Sequence, residues 1–372
     1  MRQVMNCKVR WTNLITFFLF LLMSSLSFAA DLETARLAIK EKGAHWVAAE
    51  SKFARLPLEE KKARLGLIKP SHTGAEKVLA SQAPLAGMPV SFDWTTGGRF
   101  GNGINYVTPV RNQGACGSCW AFATTGALES YSLININDSQ CNTSSCDLSE
   151  QVLVSCGSSG HLDAGSCSGG YVNRASDYIR DTGLPMESCY PYTAENGKCS
   201  NSCSTWNTST YRIGAWDYVA TTAPTAEAIK NALYNYGPLA TTMDVYEDFY
   251  DSYDSGVYSY VSGSKVGDHA ILIVGYENNS VYPGGGCFRV KNSWGGDWGE
   301  AGFFRIAYSE LSSVVQFGDW TIAYRITATL RTGDFAPADC DVDGSDLAVL
   351  IADPSLLNLA TFAQNFGKSD CQ

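Results

Sequence analysis

The run Gln113-Gly114-Ala115-Cys116-Gly117-Ser118-Cys119-Trp120-Ala121-Phe122 places a cysteine at the start of an apolar, helix-like stretch. A thiol in that position faces the positive end of a helix and its unpaired N–H groups, which favour the thiolate, the reactive form. A thiolate nucleophile needs a base and a group that orients the base. The chain has four histidines. His45 and His72 lie upstream in a stretch of different composition, and His161 sits in a Gly/Ser/Asp loop. His269 opens His269-Ala270-Ile271-Leu272-Ile273-Val274-Gly275-Tyr276, which reads as a buried strand. A strand is the stiffer mount, so elimination favours His269. Downstream, Lys291-Asn292-Ser293-Trp294-Gly295-Gly296 supplies Asn292, which can accept a hydrogen bond from the imidazole and fix its tautomer. Trp294 could cover that bond and exclude water. The competing reading is that Cys116-Gly117-Ser118-Cys119 is a redox pair or half a zinc site, which would require a second cysteine pair with ligand spacing.

With these blocks stand Leu148-Ser149-Glu150-Gln151, Cys167-Ser168-Gly169-Gly170-Tyr171 and Tyr190-Pro191-Tyr192. Together, and in this order, the chain resembles a papain-like cysteine peptidase from about Met88 to Leu330. The resemblance implies an α+β, two-lobed fold: a helical lobe carrying Cys119 and a β-barrel-like lobe carrying His269 and Asn292, with the cleft between them. It implies Cys119 as nucleophile, His269 as acid and base, Asn292 as orienter, and Gln113 as an oxyanion donor beside the Cys119 N–H. Gly169 and Gly170 would present bare backbone to an extended peptide. Gly267, Thr242 and Trp294 would line the substrate cleft, with Gly267 and Thr242 suggesting a roomy, weakly polar pocket. The chemistry is acyl transfer to the thiolate, with protein or peptide substrates and no catalytic cofactor. A secreted binding module that keeps this body without activity is the alternative; loss of any of the four residues would favour it.

The flanking segments organise around that body. Residues 1–29 read as a secretory signal: Arg2, Lys8 and Arg10, then the apolar Leu14 to Leu22, then Ser27-Phe28-Ala29. No later segment is long and apolar enough to span a membrane. Residues 30–88 lack cysteine, are rich in Ala, Leu, Lys and Glu, and show helical spacing through Leu32, Ala35, Ile39 and Trp46, with a second helix start near Leu56-Pro57-Leu58. This is the expected pro-region, an inhibitor of the catalytic domain at 89–332. Residues 31–87 carry ten basic and seven acidic side chains (+3), and residues 89–372 carry fourteen and thirty (−16). A basic cover on an acidic body binds through complementary fields that weaken as carboxylates protonate, so acid should assist maturation. The acidic body argues against nucleic acid or anionic membrane as partners.

Thirteen cysteines suit an oxidising compartment, and localisation outside the cell or in a periplasm. Setting aside Cys7 in the signal and Cys119 leaves eleven, so one stays unpaired. The papain resemblance suggests Cys116–Cys167 and Cys156–Cys199. Short spacing makes Cys141–Cys146 and Cys189–Cys203 plausible, and Cys340–Cys371 would close the tail. Cys287 is left as a buried strand thiol.

Residues 333–372 form a small C-terminal module. Asp339-Cys340-Asp341-Val342-Asp343-Gly344-Ser345-Asp346 alternates carboxylates and puts glycine sixth, resembling the calcium loop of EF-hands and dockerins. Asp339, Asp341 and Asp343 would ligate through side chains, Ser345 through its carbonyl, and Asp346 would replace the carboxylate missing at Leu350. Such a tail would dock the protein on a surface or scaffold partner. Calcium titrated calorimetrically into the full chain, but not into a chain ending at residue 332, should give a saturable heat at millimolar concentration or below; identical traces would remove the metal from the tail.

Overall fold

The computed structural model describes residues 32–74, 76–79, 87–136, 138, 140–157 and 163–326. The signal, His161, the Cys340–Cys371 pair and the tail with its five candidate ligands lie outside them. Helix α1 spans 32–42 and ends at Gly43, whose φ of +62° is the left-handed conformation glycine adopts most cheaply. The helix therefore stops before Trp46. That residue, expected on the helical face, lies instead in strand β1 (His45–Ala48), where the aromatic and β-branched His-Trp-Val suits a pleat. A short helix α2 (Leu58–Lys62) follows, starting directly after Pro57.

The body begins with β2 (Ser91–Asp93) and α3 (Cys119–Asn135). Helix α3 is buried on all sides through most of its length, as its nearly uniform apolar and small composition requires. Helix α4 (Glu150–Cys156) is capped by Ser149, whose Oγ accepts from the Val152 N–H. A two-residue ladder, β3 (Gly165–Ser166) with β4 (Gly169–Gly170), leads into α5 (Val172–Asp181), completing the helical lobe. The β lobe holds β5 (Ala215–Ala220), α6 (Ala226–Tyr236), β6 (Leu239–Tyr246), α7 (Glu247–Ser252), β7 (Tyr253–Tyr258), β8 (Lys265–Asn278), β9 (Gly286–Lys291), β10 (Phe303–Ala307) and β11 (Asp319–Arg325).

Among the described residues one sheet runs β1-β7-β10-β9-β8-β6-β11-β5, with β2 paired to β8. Pairings are antiparallel except β10 with β7. Strand β8 is the central carrier: Met243 of β6 pairs with His269, and Leu272 pairs with Lys291, the residue before Asn292. Helix α3 packs on β8, close enough that a Cβ at Gly126 would lie 3.2 Å from Leu272 Cδ2. Four disulfides, Cys116–Cys167, Cys141–Cys146, Cys156–Cys199 and Cys189–Cys203, pin the loops of the helical lobe.

The N-terminal segment is part of the same core. Strand β1 adds to the sheet edge at β7, and Trp46 is buried there, its Nε1–H donating to the Ser259 carbonyl at 3.0 Å. Lys61 forms a half-buried pair with Asp251 at 2.6 Å. Trp46→Ala should cost the precursor about 3–5 kcal/mol and lower its melting temperature, while the body freed of residues 30–88 unfolds unchanged; equal melting of both precursors would mean that this strand contributes nothing to docking.

Candidate active site

Cys119 is the first residue of α3, and its position follows from the loop before it. Cys116 is locked to Cys167, and the Gly117 N–H donates to the Cys167 carbonyl at 2.9 Å. Because Cys116 is in a disulfide, Cys116 and Cys119 are not a redox pair. Tyr192 clamps the same loop: its hydroxyl donates to the Gln113 carbonyl at 2.9 Å and lies 2.6 Å from Ser118 Oγ. Within Tyr190-Pro191-Tyr192, residue type alone does not mark Tyr192 for this task.

His269 comes to Cys119 on β8. The N–H of the next residue, Ala270, is directed at the Cys119 sulfur, so helix start and strand meet there. One imidazole nitrogen, Nε2, lies 2.8 Å from Asn292 Oδ1, and the Trp294 ring stacks on the imidazole at 4.7 Å. The other nitrogen, Nδ1, is buried without a hydrogen-bond partner, which leaves it for the reacting proton. Asn292 is held in turn: its Oδ1 also accepts from the Ser293 N–H at 2.8 Å. Lys291, buried at the end of β9, donates to Thr108 at 3.0 Å, and Thr108 donates to Glu129 of α3, tying the strand that aims Asn292 to the helix that aims Cys119. Burial holds the Lys291 ammonium below, and the Glu129 carboxyl above, their ordinary ranges.

Gln113 is fully buried, and its amide is oriented by Ser293, whose Oγ donates to Gln113 Oε1 at 2.6 Å. Nε2 then donates twice, to the Cys116 carbonyl and to the Arg64 carbonyl, both at 2.8 Å. Nothing in the residue types marks Ser293 for this work; only contact across 180 residues does. The Arg64 carbonyl thus takes one of the two N–H bonds that the Gln113 amide can give.

Residues 64–69 fill the cleft. The Gly170 N–H donates to the Gly66 carbonyl at 2.9 Å, and the Ile68 N–H donates to the Gly170 carbonyl at 2.8 Å, so the segment pairs in parallel with Gly170. Ile68 lies against Gly169, and Leu65 fills the space left by Gly267, where an added Cβ would meet Leu65 Cβ at 2.9 Å. Thr242 is buried in β6 with its hydroxyl donating to the Asp319 carbonyl at 2.8 Å; two residues along, Asp244 reaches the cleft segment through Lys69. The Gly66 N–H is directed at the Cys119 sulfur. The sulfur thus faces a backbone donor of the covering segment.

Burial governs both reacting groups. It pushes the Cys119 thiol up to about 11, against the N–H groups of Ala270, Gly66, Trp120 and Cys119 itself. It also pushes the His269 imidazole down to about 4, with the Asn292 hydrogen bond opposing the shift. In this form the pair is neutral thiol and neutral imidazole.

Residues 88–317 match the papain family cysteine proteases. The chain belongs to that family. It is similar to digestive cysteine proteinase 1 of Homarus americanus, 37% identical over 217 residues that cover 58% of this chain and 61% of that enzyme. It is also similar to the viral cathepsin of Bombyx mori nuclear polyhedrosis virus, 36% identical over 262 residues, 69% of this chain and 72% of that protein. The structure of the digestive procathepsin L2 proteinase from Tenebrio molitor larval midgut superposes with a TM-score of 0.64 at 27% identity, covering 87% of this chain and 96% of that one. The fold is papain-like, with mixed α and β content, two lobes and a pro-region.

Because burial by residues 64–69 keeps the sulfur protonated, iodoacetamide should label Cys119 in the precursor only at strongly alkaline pH and slowly. Removal of the segment should move the midpoint of the labelling rate down by several units. Identical pH–rate curves for the two forms would mean that the segment does not control ionisation.

Proposed function

We propose that this chain is a secreted cysteine endopeptidase, synthesised as a zymogen, that hydrolyses peptide bonds through a Cys119 acyl-enzyme. The observation that carries this reading is the joint arrangement of Cys119, His269, Asn292 and Gln113 beneath an extended segment of the chain's own N-terminal region. Replace that segment by a peptide of opposite direction and a carbonyl, instead of the Gly66 N–H, is offered to the sulfur. The thiolate adds to the carbonyl carbon, and the resulting oxyanion takes the Gln113 Nε2–H now given to Arg64, together with the Cys119 N–H. One such donor is worth about 3–4 kcal/mol in the transition state. His269, held by Asn292, passes a proton from Nδ1 to the leaving amine, and the acyl thioester remains. Water then attacks it with His269 as base. The similarity to cathepsin L-like proteinases favours cleavage within chains over trimming of ends. Secretion is supported by residues 1–29 and by the four disulfides. For residues 333–372 the reading is a calcium-stiffened module for a surface or scaffold.

Acid release follows from the charges that hold the segment. Burial pushes the Asp244 carboxyl up, and Lys265 and Lys69 pull it back. Lys69 therefore binds best to the ionised carboxylate. Beside it, against the push of burial, Lys265 and Lys69 hold the Asp268 carboxyl below its ordinary range, so this anchor is full at neutral pH and weakens as pH falls toward that depressed pKa. Gly66 supplies a second handle: a Cβ there would lie 1.9 Å from the Gly117 carbonyl oxygen, a contact with rigid backbone.

One time course tests the reading. Purified precursor should convert faster at about pH 4.5 than at pH 7, Gly66→Ala should convert faster than wild type at both, and converted enzyme should cleave an extended quenched peptide. Cys119→Ala should do neither. Cleavage that survives Cys119→Ala would overturn the mechanism, and equal conversion at both pH values would overturn the acid trigger.

A further inference from the structure

Lys69 is the last residue of the cleft-spanning stretch with a charged anchor inside the body, and that anchor is built from the strand that carries His269. Its ammonium meets Asp244 of β6, Asp268 Oδ1 of β8 at 3.3 Å, and Gln316 Oε1 at 2.8 Å. Asp244 and Asp268 are register partners across β6 and β8, one step from the Met243–His269 pair, so their carboxylates stand together at the edge of the catalytic groove. Asp244 has a side chain only 7% exposed, while Lys69 is 23% exposed. Lys265 completes the cluster from the solvent side, 2.8 Å from Asp244 Oδ2 and 2.9 Å from Asp268 Oδ1.

Two carboxylates and two ammoniums balance in the precursor. When the pro-region leaves, one ammonium leaves with it. Lys265 alone then faces both carboxylates, and Asp244 Oδ1 loses the donor it had. A partly buried acceptor without its partner is costly, and a ligand that restores the donor is favoured accordingly. The vacancy lies beside backbone that already pairs with an extended chain, since the Leu67 N–H donates to the Asp268 carbonyl at 3.3 Å. A substrate lying along Gly170 therefore passes within side-chain reach of it.

We propose that in the mature enzyme Asp244, Asp268 and Gln316 form a substrate subsite for a lysine or arginine side chain, the place that Lys69 holds in the precursor. This deepens the peptidase reading above and rests on it. It adds a charged end to the roomy, weakly polar pocket expected from Gly267 and Thr242. A long aliphatic stem would lie along the groove, and the cationic end would reach the carboxylates, as Lys69 does.

The test is a set of internally quenched peptides in which a single lysine, norleucine or glutamate is walked through each position flanking the scissile bond. Enzyme matured from the full chain is used, with its concentration fixed by titration with a thiol-directed peptidyl electrophile. At one position lysine should exceed norleucine by about tenfold or more in kcat/KM, a difference expected when a buried acceptor is satisfied or left open. Asp244→Asn should abolish that ratio, Asp244→Glu should retain most of it, and Asp244→Lys should turn the preference toward glutamate. Hydrolysis with the same rates for lysine and norleucine at every position, or a lysine preference unchanged by Asp244→Asn, overturns the subsite and leaves the peptidase reading standing. Failure to cleave any peptide by enzyme whose thiol titrates fully takes down both.

Discussion

The contact between the N-terminus of α3 and the middle of β8 is the constraint on which the rest of this protein depends. It brings a cysteine and a histidine 150 residues apart into one groove, and it leaves no slack. The helix is buried all round, Gly126 lets it approach Leu272 closely, and the Ala270 N–H is directed at the Cys119 sulfur. A shift of one residue in the β6–β8 register would turn His269 to the opposite face of the sheet. The Lys291–Thr108–Glu129 chain resists such movement because it ties the end of β9 to α3 through buried hydrogen bonds.

The same closeness explains how one polypeptide can hold a reactive centre in an unreactive state. Water is excluded by the segment over the cleft, so ionising Cys119 or His269 is penalised by lost solvation, which the N–H groups at the sulfur and the Asn292 hydrogen bond only partly offset. The segment also satisfies the donors that catalysis would use: Gln113 Nε2 is given the Arg64 carbonyl, and Gly170 is given the backbone of Gly66 and Ile68. Inhibition here amounts to supplying the right hydrogen bonds in the wrong chain direction. Its anchors are charged where the body is acidic, at Asp244, Asp251 and Asp268, which accounts for the opposite signs of the two regions.

Much of the site was legible because its chemistry is local in sequence. Cys119 stands at a helix start, His269 within an apolar strand and Asn292 just past the end of β9, two residues before Trp294, and each placement follows from residue types within a few positions. The four described disulfides were likewise readable, two from family resemblance and two from short spacing, and Cys287 is indeed the buried thiol left over, pushed up to about 12 chiefly by burial. Legibility failed where a residue's task is set by something distant. Ser293 orients Gln113 and Tyr192 clamps the nucleophile loop, yet both read as ordinary polar or aromatic positions. The helical spacing from Ile39 to Trp46 fails because it passes through Gly43, whose left-handed φ ends the helix and lets Trp46 enter β1.

The sequence by itself determined the candidate nucleophile, its candidate base and orienting amide, and the surplus thiol, since these are matters of residue identity, chain order and short-range propensity. Only the tertiary structure decided which N–H faces the sulfur, which way the covering segment runs, and that Lys69 lands on Asp244, 175 residues away. Direction and long-range pairing have no signature in spacing. They are fixed when the lobes close, because only the closed arrangement excludes water and brings Gln113, Ser293 and the Lys291–Thr108–Glu129 chain within hydrogen-bond reach.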